Sequence, residues 1–530
     1  MDQIDHLLIM DAPRILASEL IARPCPTLAD RFGKLKLVNE APSSISKPES
    51  YQALQKQPKE RIQDDRPYVD RFVPPISLLY DGFGVFEDVF RERCPVSGED
   101  RIIDVKLWDE VNIFANRMAQ FYQTEAERRG TVLDSLGWIF RARRDPHAVG
   151  DSRIGSHQII SDGHVNGKHG AIVFCIKCKN ELWGISCEPS AELVSHIASS
   201  FKEQLTGRHR ALFDGWRVPA LGMTQIGERI PYTPHPRPLI RCPGTFVQFF
   251  GIVMLENMRV VPLTPMLPLA TPIEDEWSRQ RLFLAFKAAS IVLAKIQADV
   301  SERVDRPPPA IPLGQRDLPS VTEIKAIEES SPNIKFMLLE RHDTKVEYRN
   351  LYHAQTVPGG EKVFVKFTQR YSPELHLFCA RRGLAPKLRG FEELPGGWFG
   401  LVIEEIEKVD LVDPSGVGAD DVETFLLELD KCKKEIQRLV EDFHKEGLVH
   451  GDLRLANMIF TKGTPRRMLL VDFDWGGKVS EVHFPRGLLA EELRAQDSRD
   501  NCLDRPITVG DDNRVLAGSF ESLDKIYQAQ

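Results

Sequence analysis

The chain has 530 residues, 42% apolar and 28% charged, with 69 Lys plus Arg against 77 Asp plus Glu and a formal charge of -8. At about 150 residues per domain, that length predicts two to four domains, with the balance of an ordinary globular protein. The mild acidity excludes a dedicated nucleic-acid coat and a basic membrane-surface protein, while leaving room for a local basic groove.

Nine cysteines, an odd and dispersed count, predict neither a disulfide framework nor a zinc ribbon. The N-terminal MDQIDHLLIMD carries acids where an export signal needs positive charge. The most apolar helix-like stretch, Leu282 to Ile296, is interrupted by Lys287 and Lys295. It is also shorter than the ~20 residues that cross a bilayer. An intracellular protein, cytoplasmic or nuclear and with no membrane partner, is expected.

Residues 1–75 mix Pro and Ser with a charged run from Lys56 to Asp65 and read as a loosely packed leader or small helical lead-in. Apolar density rises from Ile76. A helical pattern covers Val105 to Leu136, strand-like runs follow at Ala171 to Cys178 and Thr245 to Leu255, and another helix spans about Asp275 to Ile296. Between the first helix and strand, Ser161-Asp162-Gly163-His164 leads through a turn-like NGKHG into a strand that carries Lys177 and Lys179. An Asp followed at some distance by a strand Lys resembles the PD-(D/E)xK nuclease-like fold. That resemblance implies Asp162 as a metal-holding carboxylate and Lys179 as the cation steadying water or phosphate. It also implies Glu125, in YQTEAER, as a further metal ligand, and nucleic acid as a partner. The sequence departs from the pattern at Lys177, which stands where the motif has an acid. A cation there repels a metal and removes a ligand, so hydrolysis is expected to be crippled unless Glu181 or Glu125 compensates. The rival reading is an ordinary mixed sheet with lysines guarding an edge.

The stretch 306–320, RPPPAIPLGQRDLPS, has five prolines in fifteen residues. Proline fixes φ and removes backbone donors, so this segment predicts a linker between a domain at 76–305 and a second at 321–530. No internal repeat and no long low-complexity tract is present.

Beyond the linker, Lys362 to Phe367 alternates like a strand, with Lys366 inside it and Glu374 opening a helical segment eight residues later. Leu401 to Ile406 reads as another strand, running into a hinge at Glu404 and Ile406. Apolar residues at 425, 426, 429, 436, 439, 440 and 443 have the three-and-four spacing of an amphipathic helix, which Gly447 stops. Then come His450-Gly451-Asp452-Leu453-Arg454-Leu455-Ala456-Asn457 and two short apolar runs about a turn, ending at Asp472-Phe473-Asp474. Phosphoryl transfer needs a carboxylate facing the acceptor hydroxyl and hard oxygen ligands for a cation on the triphosphate. Asp452 and Asn457, five apart on one loop, and Asp472 on the neighbouring strand supply that set. Arg454 is a cation for developing charge.

HGDLRLAN resembles the HxDxxxxN catalytic loop of the protein-kinase-like superfamily, and DFD stands where that superfamily has DFG. The HGDLR form looks closer to RIO-type, aminoglycoside and choline kinase-like members, and DFDW is similar to fungal kinase-like proteins. A nuclease-like module before a kinase-like one resembles the architecture of Crinkler-type effectors. The resemblance implies an α+β fold: a two-lobed protein-kinase-like domain preceded by an α/β restriction-endonuclease-like domain. It implies ATP and Mg2+ as cofactors and transfer of the γ-phosphate to a hydroxyl acceptor. Asp452 would be the base and His450 a brace of its loop, with Asn457 and Asp472 on the metal. Lys366 would hold the phosphates, anchored by Glu374, and Glu404 and Ile406 would contact adenine. The departures are a glycine-free Leu339 to Tyr348, Asp474 in place of glycine, and only 57 residues after Phe473. They favour a small-molecule acceptor, or a pseudokinase that binds nucleotide and regulates the degenerate or active nuclease-like domain.

Overall fold

The computed structural model describes residues 26–62, 73–93, 98–120, 122–142, 153–154, 159–179, 188–227, 245–272, 274–342, 350–409, 422–462, 465–485, 493 and 505–528. The N-terminal unit contains helices α1 (Asp81–Phe90), α2 (Gly98–Met118) and α3 (Glu125–Ala142), strands β1 (Gly163–Asn166) and β2 (Ile172–Lys179), and helix α4 (Pro189–Thr206). Strands β3 (Pro219–Ile226), β4 (Phe246–Met254) and β5 (Met258–Pro262) and the long helix α5 (Glu276–Asp305) follow. The five strands lie side by side in chain order, β2 parallel to β3 and the other neighbours antiparallel. A parallel pair needs a crossover, which α4 supplies. β2 and β3 read IVFCIKCK and PALGMTQI, near-continuous apolar runs that suit strands covered on both faces. One face packs on α1, α2, α3 and α5, and the other on α4 and the short helices between residues 28 and 55.

Cys175 and Cys178 have C-x-x-C spacing, a feature that counting cysteines passes over. Three apart on a strand, they point to opposite faces. Each lies in a different core, both thiols are free, and burial pushes both up. They cannot share a metal ion or a disulfide.

Three features differ from expectation. Residues 28–62 are no loose leader: Leu28, Phe32, Leu37, Ile45, Leu54 and Ile62 are buried in the core beneath α4. Short helices opened by Pro42 and Pro48 each bury one or two apolar side chains, too sparse a pattern to show periodicity. The helix expected over Val105 to Leu136 is two, because Thr124 starts a new one. The Thr124 hydroxyl accepts from Glu127 N at 3.2 Å while the Glu127 carboxylate accepts from Thr124 N at 3.4 Å, a reciprocal cap. The Pro-rich stretch is also bound down. Fully buried Arg316 donates to the carbonyls of Asp214, Trp216, Met254 and Leu255 at 3.0 to 3.2 Å, and Arg217 donates back to Gln315 O and Arg316 O. Arg316 thus ties the proline-rich segment to carbonyls of the N-terminal unit, and Arg217 pairs with two carbonyls of the segment itself.

The C-terminal unit opens with an antiparallel sheet of β6 (Glu323–Ile324), β7 (Ile334–Arg341), β8 (Asn350–Thr356), β9 (Lys362–Thr368), β10 (Leu388–Leu394) and β11 (Trp398–Glu404), in the order β10-β11-β9-β8-β7-β6. Helix α6 (Pro373–Arg381) lies between β9 and β10 in the chain. Then come α7 (Val422–Lys445), the hairpin β12 (Met458–Thr461) and β13 (Met468–Leu470), and the terminal helix α8 (Val509–Gln528). α7 buries Phe425, Leu429, Cys432, Ile436, Leu439, Val440 and Phe443, but Leu426 is 40% exposed, outside the stripe assigned to it. Gly447, at φ +76°, ends the helix as expected. The units touch: Ser320 N donates to Leu78 O, Gly396 N donates to Asp88 Oδ2, each at 2.8 Å, and Leu78 is buried in the sheet core of the second unit. Among the described residues, no helix is long and apolar enough to cross a membrane.

Candidate functional site

Lys366 lies on the central strand β9, 8% exposed. A buried ammonium requires anions, and it has two: Asp472 Oδ1 at 2.6 Å and Asp474 Oδ1 at 2.5 Å. Burial works against its charge, but the two carboxylates outweigh that and hold Lys366 above the ordinary lysine range. Asp472 sits at φ +68°, a strained backbone for a non-glycine residue. Phe473, between the acids, is buried and stacks on the His376 ring at 4.5 Å. His376 is fixed from both nitrogens, by the Tyr371 hydroxyl at 2.5 Å and Pro386 O at 2.8 Å, and burial pushes its pKa down to about 4.

The loop after α7 is built around buried groups. Asp512, 1% exposed on α8, accepts from His450 N at 2.7 Å, from Gly451 N at 2.8 Å and from His444 Nε2 at 3.1 Å. Gly451 has φ +79°, and a Cβ there would sit 2.8 Å from Ile507 and 3.2 Å from Trp475, so glycine is required. His450 is fully buried and its Nδ1 accepts from Asp452 N at 3.3 Å, the bracing part assigned to it. Asp452 receives a two-pronged ion pair from Arg454, Nε to Oδ1 at 2.5 Å and Nη2 to Oδ2 at 2.9 Å. Asn457 donates Nδ2 to Asp452 O at 3.0 Å and accepts at its backbone from Val471 N at 3.0 Å. These bonds bring Asp452, Asn457 and the strand ending at Asp472 together. Asn457 Oδ1 is buried and has no hydrogen-bond partner. A buried amide oxygen left in this state is an acceptor awaiting a partner, and an amide oxygen is among the ligands that suit a hard divalent cation.

A cavity of about 240 Å³ is lined by Lys366, Ile403, Glu404, Ile406, Ala456 and Asp472, while Asp452 and Asn457 are outside its lining. Glu404 and Ile406 are thus in the lining of this cavity, with the Glu404 carboxylate also accepting from Lys387 N at 3.2 Å. Residues 343–348 of the glycine-free segment lie outside the described residues. Glu374 is the correction. It is exposed in the first turn of α6, where an acid suits the helix dipole, and Lys366 is paired with Asp472 and Asp474 instead. The inward face of α6 is given to Leu375, His376 and Cys379.

Sequence reading missed Asp512. Its signal was present as Thr508-x-x-Asp511, a capping box confirmed by Asp511 N to Thr508 Oγ1 at 3.2 Å and Thr508 N to Asp511 Oδ2 at 3.1 Å. It marks a helix start with a second acid beside it. Asp512→Ala would leave two buried backbone donors of the loop unpaired, and should cost about 2–6 kcal/mol at roughly 1–3 per orphaned group. Urea unfolding checks it, and a change below 1 kcal/mol would mean water replaces the carboxylate.

In the N-terminal unit Lys179 and Glu125 of the expected set pair directly, whereas Asp162 joins them only through Lys177 and a residue that was not foreseen, Glu192 of α4. Lys177, 5% exposed, bridges Asp162 Oδ2 at 3.0 Å and Glu192 Oε1 at 2.8 Å. Lys179 reaches Glu192 Oε2 at 3.3 Å and Glu125 at 3.8 Å. Asp162 Oδ2 also accepts from Cys178 N at 2.8 Å. The expected metal site fails because the ammonium of Lys177 lies between the carboxylates. Among the described residues no group of three or more His, Cys, Asp or Glu could hold a metal ion.

No protein-family model matches the chain, and no curated protein matches it. Among solved structures, the kinase PK-1 of the Cydia pomonella granulovirus is similar at 16% identity and a TM-score of 0.27, over 36% of this chain and 70% of that one.

Proposed function

We propose that the C-terminal unit is an ATP- and Mg-dependent phosphotransferase acting on a hydroxyl acceptor. The observation that carries this reading is Asn457 Oδ1, a buried oxygen without a partner, on the loop bonded to the strand that delivers Asp472 against Lys366. Asn457 and Asp472 would hold the magnesium ion. When bound, the ion draws charge from the phosphate oxygens and orients the triphosphate. Lys366 binds phosphate oxygens through its remaining donor, and Ile403 and Ile406 offer an apolar wall for the base. Asp452 orients the acceptor hydroxyl and takes its proton as the acceptor oxygen bonds to the γ-phosphorus and the bond to the β–γ bridging oxygen breaks. Arg454, released from Asp452 as the proton arrives, is placed to meet the charge of the transferring group.

A second reading is favoured by the closed ion pairs Lys366–Asp472 and Asp452–Arg454: a nucleotide-sensing pseudokinase that binds without turnover. One titration separates the two. Mg-ATP at a hundredfold excess over its Kd is expected to raise the melting temperature of this unit by roughly 5–10 °C, with loss of ATP and labelling of an acceptor. A rise without ATP loss assigns the sensor, and no rise rejects both.

For the N-terminal unit we propose a structural ion-pair network in place of metal-dependent hydrolysis, since Lys177 already neutralises the carboxylates a metal would need. Plasmid cleavage with Mg2+ or Mn2+ that disappears on Asp162→Ala would overturn this.

A further inference from the structure

We propose that Asp474 is the positioning residue for Lys366, the fixed anion that keeps the lysine aimed at phosphate when Asp472 turns toward the cation. The proposal rests on the phosphotransferase reading above. In the structure Lys366 Nζ is shared between Asp472 and Asp474. If Asp472 gives its oxygens to a metal ion, the 8% exposed ammonium loses one of its two anions. A buried charge stripped of its partners is strongly destabilised, so a second anion must stay in place for that exchange to be affordable.

Asp474 is built to stay. Its other oxygen, Oδ2, lies 3.3 Å from Thr368 Oγ1, whose single proton it shares with Arg370 O at 3.0 Å, and Thr368 is two residues beyond Lys366 on β9, on the same face of the strand. The clamp and the lysine therefore belong to one rigid strand face. Helix α6 offers no substitute. Glu374 is exposed at its first turn, and His376 fills the inward position against Phe473. An Asp in the place where the DFG pattern has glycine thus does what the helix glutamate was expected to do.

The test compares ATP with adenosine, which lacks the phosphates and cannot engage Lys366. In the full chain, Asp474→Asn should weaken ATP binding at least tenfold and leave adenosine binding unchanged, a selectivity that a merely structural loss would not produce. Asp474→Glu should recover most of the ATP affinity, and Glu374→Gln should alter neither ligand. Equal loss of both ligands in Asp474→Asn, or selective loss of ATP in Glu374→Gln, overturns the proposal. A thermal-melting cycle decides the pairing without nucleotide. Asp474→Asn should lower the melting temperature less in a Lys366→Met background than in the wild type, whereas Glu374→Gln should be additive with Lys366→Met. If wild-type protein binds no ATP, the phosphotransferase reading falls. The cycle then decides alone: non-additivity supports the Lys366–Asp474 anchor, and additivity overturns it.

Discussion

Asp452→Asn should lower the rate of phosphate transfer by about 10²–10⁴-fold, the range expected when a general base is removed. The amide keeps the size of the carboxylate but cannot accept the acceptor's proton, and it exchanges the two-pronged pair with Arg454 for a single hydrogen bond. Stability should change little, because Arg454 is partly exposed and water can replace the lost contact. His450, Gly451 and Asp512 frame the loop from the other side and are untouched by the substitution. Single-turnover transfer with saturating Mg-ATP is the measurement. A variant within tenfold of wild type would remove Asp452 from the chemistry and leave it a ligand of Arg454 alone.

A large effect on stability is expected at Lys177. Lys177→Met deletes the cation between two buried carboxylates, Asp162 and Glu192, which are 6% and 8% exposed. Breaking a buried pair by removing one partner costs about 3–5 kcal/mol. Burial alone would raise the Glu192 carboxyl, but Lys177 outweighs it and holds the pKa below the ordinary 4.5. The stability Glu192 contributes is therefore present above pH 4.5 and lost as the pH falls below it. In Lys177→Met the sign should weaken or reverse, since a buried carboxylate with less compensation prefers to be protonated. Urea unfolding between pH 4 and 7 follows both effects. The triple change Lys177→Met with Asp162→Asn and Glu192→Gln removes the charges together and should recover much of the loss. An unchanged midpoint in the single variant would show that the network does not hold the sheet to α4.

The catalytic-type loop could be read before any coordinates because its chemistry is local. Asp452, Arg454 and Asn457 are spaced on one short segment, and Gly451 and the strand ending at Asp472 can be recognised from residue type and hydrophobic alternation. The strands Ile172–Lys179 and Phe246–Met254 were legible as near-continuous apolar runs, and the helix α7 as an amphipathic period, because burial marks consecutive residues in both. Thr124 and Thr508 were equally local signals, each the first residue of a capping box, and reading them would have split one helix and started another.

What the sequence could not decide was which ions pair. Glu374 and Asp474 are both plausible partners of Lys366 along the chain, eight residues one way and over a hundred the other. The choice depends on which face of α6 turns inward, and His376 stacking on Phe473 settles it. Glu192 and Asp512 come from helices distant in sequence, and their parts follow from docking, which has no short-range period. The same holds for residues 28–62, whose few apolar side chains become core only because α4 supplies the surface they cover. Local spacing thus determined the elements and the candidate groups of the proposed site, while tertiary packing, by removing water from some charges and not others, determined which acid answers each base.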